Sequence, residues 1–319
     1  MNSSNPFFSV VIPLYNKEAH VCRCINSVLS QTFKDFEVIV VDDGSSDNSY
    51  NLVKAHDDSR LRIIQQANAG VSAARNRGIE VAAGEWVTFL DADDEWLPPF
   101  LQKVYECAHA FPEAGVIYSV VDFIRDGKIM EAPPRNNESG PHMVVDYFAF
   151  TLLWPGHNIQ SSAIAVRREA FKASGVFPVG VKIGEDKDTW HRLVWTAQIA
   201  HIPECLANIY LDASDSGWQN AIDRESLVST YLQWRKAGRI PLRLQNSSAL
   251  AHQKYVLREC IRMAMDGKRW LALKNLLRHT EWRYVSKRSL RKAIVRICFA
   301  RSDKVRVGTP MPSKNRKTS

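Results

Sequence analysis

Cysteine pairs at metal-binding spacing are missing from this sequence. Its six cysteines are scattered, no CxxC pair occurs, and Cys22 and Cys24 stand too close for a zinc knuckle. Scattered thiols suit a reducing compartment and read as small core residues rather than a disulfide framework. The phosphate-cradling loops GxGxxG and GxxxxGKS/T are missing too, which leaves a dinucleotide fingerprint and a P-loop unsupported. No apolar run reaches the length of a membrane span; the nearest, MVVDYFAFTLLW, is too short and carries Asp146. The opening residues, MNSSNPFFSVV, lack a basic n-region and a cleavage site, so no secretory signal is expected. A cytoplasmic location is the resulting expectation.

What is present is unevenly charged. The 319 residues are 45% hydrophobic, enough for one large or two smaller domains. Lys254 to Lys317 carries 19 Lys/Arg and four acids, a balance of +15; the whole chain is +8, so everything before is −7. An acidic front and a basic tail suggest two jobs.

The front half alternates strand and helix patterns. FFSVVIPLY, FEVIVVDDG, LRIIQQ and EWVTFLDAD are apolar runs without polar alternation. Helical segments follow the first three: about Glu18 to Ser30, near Tyr50 to His56, and after Gly70. This predicts an α/β fold with a mostly parallel sheet covered on both faces. Ligands of such sheets bind outside the carboxyl ends of the strands. Tyr15-Asn16, Asp42-Asp43, and Asp91 with Asp93 all fall on that rim, which is acidic.

Each acid also has a purely structural reading. Asp42-Asp43-Gly44-Ser45 can be an Asx turn, with a helix cap at Ser46 or Asp47. The acids of DADD can favour the start of a helix near Pro98. One cap needs one carboxylate, however, and three aspartates crowd into four positions. Like charges at that spacing repel unless a cation or hydrogen bonds offset them. Oxygen ligands of this kind suit Mg²⁺ or Mn²⁺, which use one or two carboxylates plus substrate phosphates.

Five stretches in order, VVIPLYNKE, VIVVDDGSSDNS, NAGVSAARNRG, FLDADDEW and GEDKDTWHRL, resemble a family 2 glycosyltransferase of the GT-A fold. The likeness runs roughly from Ser9 to Leu211. It implies an inverting, nucleotide-sugar-dependent transferase of hexosyl type. It also implies a divalent metal, Mn²⁺ or Mg²⁺, held by Asp93, with Asp91 binding the ribose or helping to hold the metal. Asp43, or Asp42 in its place, would contact the base or ribose, and Pro13 to Asn16, with Tyr15, would line the base pocket. Arg75 matches a position expected to face the nucleotide. Arg75 and Arg77 are two apart on a helix and project to opposite sides, which supports choosing one of them.

On the acceptor side, a helix is expected from about Gly184. Asp186, Trp190, Leu193 and Ala197 fall on one stripe of it, while Glu185 points away with Thr189 and Arg192. The family's ED motif implies Asp186 as catalytic base with Glu185 in support. The structural reading of Asp186 is a first-turn acid at the helix dipole. Asp188 and Arg192 are expected to pair on the solvated surface. Trp154, His157, Gln160 and Trp190 are acceptor-side candidates for sugar contacts, with ordinary packing as the alternative. DASDSGWQN departs from the relatives' commoner basic residue or histidine, and leaves Asp215 as the candidate third metal ligand.

The expected organisation is a catalytic domain over 1–219, divided into a nucleotide-sugar half over about 7–95 and an acceptor half over about 96–219. A basic helical region over 220–302 and a disordered basic tail over 303–319 follow. In SLRKAIVRICFA, Leu290, Ala293, Ile294, Ile297 and Cys298 form an apolar stripe between basic residues. Such a helix either lies on an anionic membrane, at the inner face of the cell membrane, or packs on the catalytic domain. The expected partners are a nucleotide-sugar donor and a saccharide or lipid-linked saccharide acceptor, in surface or envelope polysaccharide synthesis. No specific nucleic acid is expected. Two other classes stay open: nucleic-acid binding through the basic segment, which shows no recognised motif, and a metal-dependent nucleotidyltransferase. The latter would want a glycine- and lysine-rich loop after the first strand, and PLYNKEAH has no glycine.

Overall fold

Seven consecutive buried residues, Phe8–Leu14, make the first strand, β1, and a strand buried on both faces belongs inside a covered sheet. The computed structural model of the protein describes residues 5–130, 140–154, 156–181, 184–212, 225–265 and 274–276. β2 (Phe36–Asp42), β3 (Leu61–Gln65) and β4 (Trp86–Phe89) join β1 in the parallel order β3-β2-β1-β4. The helices between them are α1 (Val21–Leu29), α2 (Ser49–Lys54) and α3 (Val71–Val81). The first helix therefore starts three residues later than its sequence pattern suggests. Residues 18–20 are spent on a turn, closed by the N–H groups of His20 and Val21 on the Lys17 carbonyl. The third helix lies close on β1 at Gly78. A Cβ added at Gly78 would stand 2.2 Å from Val11 Cγ1, so only glycine permits that contact.

The residues after β4 continue the same sheet with mixed directions. After β5 (Glu95–Trp96) and α4 (Phe100–Ala110) come β6 (Ala114–Arg125), β7 (Lys128–Ile129) and β8 (His142–Val144). Next come α5 (Tyr147–Leu153), β9 (Ile164–Arg167), α6 (Ala170–Ser174), α7 (Glu185–Thr196) and β10 (Gln198–Tyr210). β9 runs antiparallel between β4 and β6, and β10 runs parallel to β6. β5 and β8 pair antiparallel with β10, and β7 with β6. The fold is a mixed α/β sheet, mostly parallel, with helices on both sides, the GT-A arrangement. One core runs through it from Phe8 and Val10 to Ile117, Ala165 and Leu206.

The described residues fall into two units, Met1–Ser248 and Ala249 onward. α8 (Glu225–Lys236) belongs to the first, where Trp195 packs at a tilt against Tyr231 and Trp234 at centroid distances of 6.3 and 5.3 Å. α9 (Gln245–Met265) follows. The expected boundary at 219, Asp215, the amphipathic helix SLRKAIVRICFA and the basic tail lie outside the described residues. Among the described residues, no helix is long and apolar enough to cross a membrane.

Candidate active site

The carboxyl end of β4 carries the first acid group. Asp91 donates its N–H to Ser162 Oγ at 3.2 Å, and the Ser162 hydroxyl donates onward to Asp94 Oδ2. Asp94 Oδ1 accepts the Tyr210 N–H at 3.1 Å. Burial, then Asp91 and Asp93, push the Asp94 carboxyl well above the usual carboxylate range. Its oxygens are occupied by structure, not aimed at solvent. Asp93 faces the other way: Lys17 Nζ stands 2.8 Å from its Oδ2. Burial and Asp91 raise the Asp93 carboxyl, while Lys17 pulls it down. Arg23 donates to the Asp93 carbonyl and lies 3.6 Å over the Tyr210 ring. The Tyr210 hydroxyl donates to Glu95 at 2.8 Å. The acids expected to open the next helix do not cap it: Pro99 occupies the cap of α4, with no side-chain hydrogen bond.

The second acid group opens α7. Gly184, in the left-handed region at φ 88°, turns the chain so that Glu185 begins the helix. Arg75 joins the two groups. Its guanidinium lies 2.7 Å from Asp91 Oδ1 and 3.3 Å from Glu185 Oε1, and the residue is 3% exposed. Burial, then Asp186, push the Glu185 carboxyl up to about 7, with Arg75 opposing them. Asp186 is half-buried, and its Oδ1 accepts the Lys187 N–H at 2.7 Å. Arg77 turns outward to Glu80.

Two expectations about α7 are corrected here. Glu185 does not point away; it turns inward to Arg75. The Asp188–Arg192 pair, at 2.8 Å, is buried rather than solvated. Both follow from one cause. Glu185, Asp188, Thr189 and Arg192 lie at i, i+3, i+4 and i+7, a single face of the helix. That polar face packs inward because most of its groups are paired, although Asp188 Oδ1 is buried without a hydrogen-bond partner. Arg192 also donates to the carbonyls of Ser174 and Val176 and to Thr189 Oγ1, and the Thr189 hydroxyl donates to the Glu185 carbonyl. Trp190, on the remaining apolar side, packs against Phe89 and Phe177.

At the rim near β2, hydrogen bonds hold the Asp42-Asp43 turn, but the expected cap at Ser46 or Asp47 is corrected: Asn48 occupies the cap of α2, with no side-chain hydrogen bond. Asp42 accepts the Ser45 N–H at 3.1 Å and the Gln65 amide at 3.2 Å. Asp43 accepts from Gln66, from the Ala69 N–H at 2.9 Å and from the Gly70 N–H at 2.8 Å. Asp43 thus holds the loop that leads into α3 and Arg75. Pro13 is buried, Tyr15 is 48% exposed, and Asn16 adopts φ 50° while its side chain accepts the Ser46 N–H. Among the acceptor-side candidates, His157 at 2% and Trp190 at 1% exposure are core residues rather than rim, because aromatic neighbours enclose them. Trp154 and Gln160 are half-buried.

The donor set fits a hard divalent cation. Asp91 and Asp93 offer oxygens, and burial, then the Asp91 charge, raises the Asp93 carboxyl despite Lys17. Among the described residues, no group of three or more His, Cys, Asp or Glu could hold a metal alone. Two carboxylates completed by substrate phosphates and water is the arrangement Mg²⁺ and Mn²⁺ commonly take. Sequence reasoning missed Ser162, Tyr210 and Arg23, which pin the acid loop. None stands in a charged cluster, and their contacts span 66 or more positions of sequence.

Residues 9–175 match the family model described as Glycosyl transferase family 2. The uncharacterized glycosyltransferase YibD of Escherichia coli is 46% identical over 110 residues, covering 34% of this chain and 32% of YibD. The uncharacterized glycosyltransferase alr2836 of Nostoc is 36% identical over 177 residues, 54% of this chain and 53% of its own. The amylovoran biosynthesis glycosyltransferase AmsB of Erwinia amylovora is 34% identical over 171 residues, 51% of this chain and 56% of AmsB. The chain thus spans about a third to a half of the length of these curated relatives. Among solved structures, S. aureus TarS 1–349 in complex with UDP matches with a TM-score of 0.70 at 18% identity, over 92% of this chain and 87% of that one. TarS 1–349 in complex with UDP-GlcNAc matches with a TM-score of 0.65 at 20% identity, over 79% and 72%. With its matched motifs on the rim of a GT-A sheet, the chain belongs to glycosyl transferase family 2.

Proposed function

We propose that the chain transfers a sugar from a nucleoside-diphosphate sugar, a UDP-sugar by preference, to a hydroxyl of a saccharide or lipid-linked saccharide acceptor. The observation that carries this is the Arg75 bridge, which joins the acids after β4 to the acids opening α7 in one site. UDP held by TarS, and the role in amylovoran biosynthesis carried by AmsB's name, support a UDP donor and polysaccharide synthesis.

In this reading Asp93, with Asp91, holds the divalent metal, which when bound stabilises charge on the leaving diphosphate. Pro13, Tyr15 and Asn16 line the base pocket, with Asp42 and Asp43 shaping its floor. Asp186 accepts the proton of the acceptor hydroxyl as that oxygen forms its bond to the anomeric carbon. The bond from that carbon to the diphosphate oxygen breaks, and the nucleoside diphosphate leaves with the electron pair, inverting the sugar. Glu185 supports Asp186 by holding Arg75 against Asp91. A base within hydrogen-bond reach of its proton contributes about 10²–10⁴-fold.

The test is calorimetric binding of UDP, GDP and dTDP, each with and without Mn²⁺, to wild type and Asp93→Asn. The expected result is metal-dependent binding of UDP that the variant loses. No nucleotide binding under any condition would overturn the reading.

A further inference from the structure

Each of the two aspartates of the proposed metal site already carries a protein cation, and the two cations differ in kind. Arg75, on Asp91, has a side chain only 4% exposed and is held from the other side by Glu185. Its planar fork is fixed between two carboxylates. Lys17, on Asp93, has a side chain 21% exposed, and its ammonium sits at the end of a flexible four-carbon stem. Its backbone is anchored: the Lys17 N–H donates to Ser49 Oγ at 2.8 Å, and its carbonyl accepts from His20 and Val21. The base of the side chain is therefore fixed, and the stem above it is long and flexible.

We propose that Lys17 is a resident counter-cation on Asp93 that a divalent metal must displace, so that Lys17 sets the metal affinity of the site. The proposal rests on the donor-site reading above. The ammonium stands 2.8 Å from Asp93 Oδ2, so a divalent cation taken up by the same carboxylate would lie within a few ångströms of it and repel it. Of the two cations, Lys17 is the one that yields, because Arg75 would have to leave two carboxylates and a nearly closed pocket. Before donor and metal arrive, Lys17 limits the repulsion within the acid loop and keeps an adventitious cation from settling there. Once displaced, its ammonium remains beside the same loop, where an anionic diphosphate would find it.

The experiment is calorimetric titration of Mn²⁺ into the full chain in the presence of excess UDP, whose diphosphate completes the proposed metal site. It uses wild type, Lys17→Met, Asp93→Asn and Arg23→Met. Arg23→Met removes a neighbouring charge whose contacts are a carbonyl and a ring, so it frees no Asp93 carboxylate oxygen. Lys17→Met is expected to bind Mn²⁺ about tenfold more tightly than wild type, with Arg23→Met within about twofold and Asp93→Asn much weaker. Equal or weaker binding by Lys17→Met, or an equal gain in Arg23→Met, would overturn the displacement while leaving the donor site standing. Absence of Mn²⁺ binding in every protein, Lys17→Met included, would overturn the metal site itself and the displacement with it.

Discussion

Two stretches of this chain each place three acids within four positions: Asp91, Asp93 and Asp94 after β4, and Glu185, Asp186 and Asp188 at the start of α7. They divide their labour in the same way. One acid of each takes a share of Arg75: Asp91 at 2.7 Å and Glu185 at 3.3 Å. One of each is turned wholly to structure: Asp94 to Ser162 and Tyr210, and Asp188 to Arg192. The third in each, Asp93 and Asp186, is the acid we propose for chemistry. The two differ in how the structural acid is balanced. Asp188 has a cation and Asp94 has only a hydroxyl and an N–H, which is why burial pushes Asp94 far up. Acid density thus marks where a site is without counting its working groups.

The comparison breaks most sharply at Asp186. If it is the working acid of its group, Asp186→Asn should lower kcat by about 10²–10⁴-fold with little change in donor affinity or fold. Near-normal transfer by this variant would move the base to another carboxylate. Arg192→Met should do the reverse, altering stability before chemistry. It strands Asp188 buried without its cation and leaves the Ser174 and Val176 carbonyls without that donor. Breaking one partner of a buried pair costs about 3–5 kcal/mol, a fall in Tm of about 10 °C for a domain of this size. A thermal melt within about 2 °C of wild type would mean that water reaches the pair and the two structural acids are alike.

What was legible in the sequence follows from range. β1, β2, β3 and β4 are short apolar runs separated by helices, so neighbours in sequence are neighbours in the sheet, and the rim acids could be placed from the strand ends alone. β6 and β10 were not read as strands. β10 holds Pro203 and shifts register between Ile202 and Cys205 and again before Ala207, which erases any simple period. The inward face of α7 is hidden in the sequence for a related reason. Its apolar stripe suggests that one side alone faces inward, whereas Arg192 brings four hydrogen bonds to the polar side and makes its burial tolerable. Lys17 lies within PLYNKE, yet nothing in that stretch says that its ammonium reaches a carboxylate 76 positions away.

The smallest effect sharpens the comparison most, because it asks how Arg75 divides itself between the two groups. Burial holds the Glu185 carboxyl protonated up to about 7 in the folded chain, against an ordinary 4.5. Between those values the folded protein binds more protons than the unfolded chain, so stability should fall as pH rises through that window. Glu185→Gln removes the titrating group. The dependence of the urea midpoint on pH should therefore flatten between about pH 5 and pH 7, with wild type and variant parallel above it. A wild-type slope that survives the substitution would mean that Arg75 keeps Glu185 ionised throughout. Arg75 would then belong as fully to the acids of α7 as to Asp91, and the proton count of the site would have to be assigned to Asp93 and Asp94 instead.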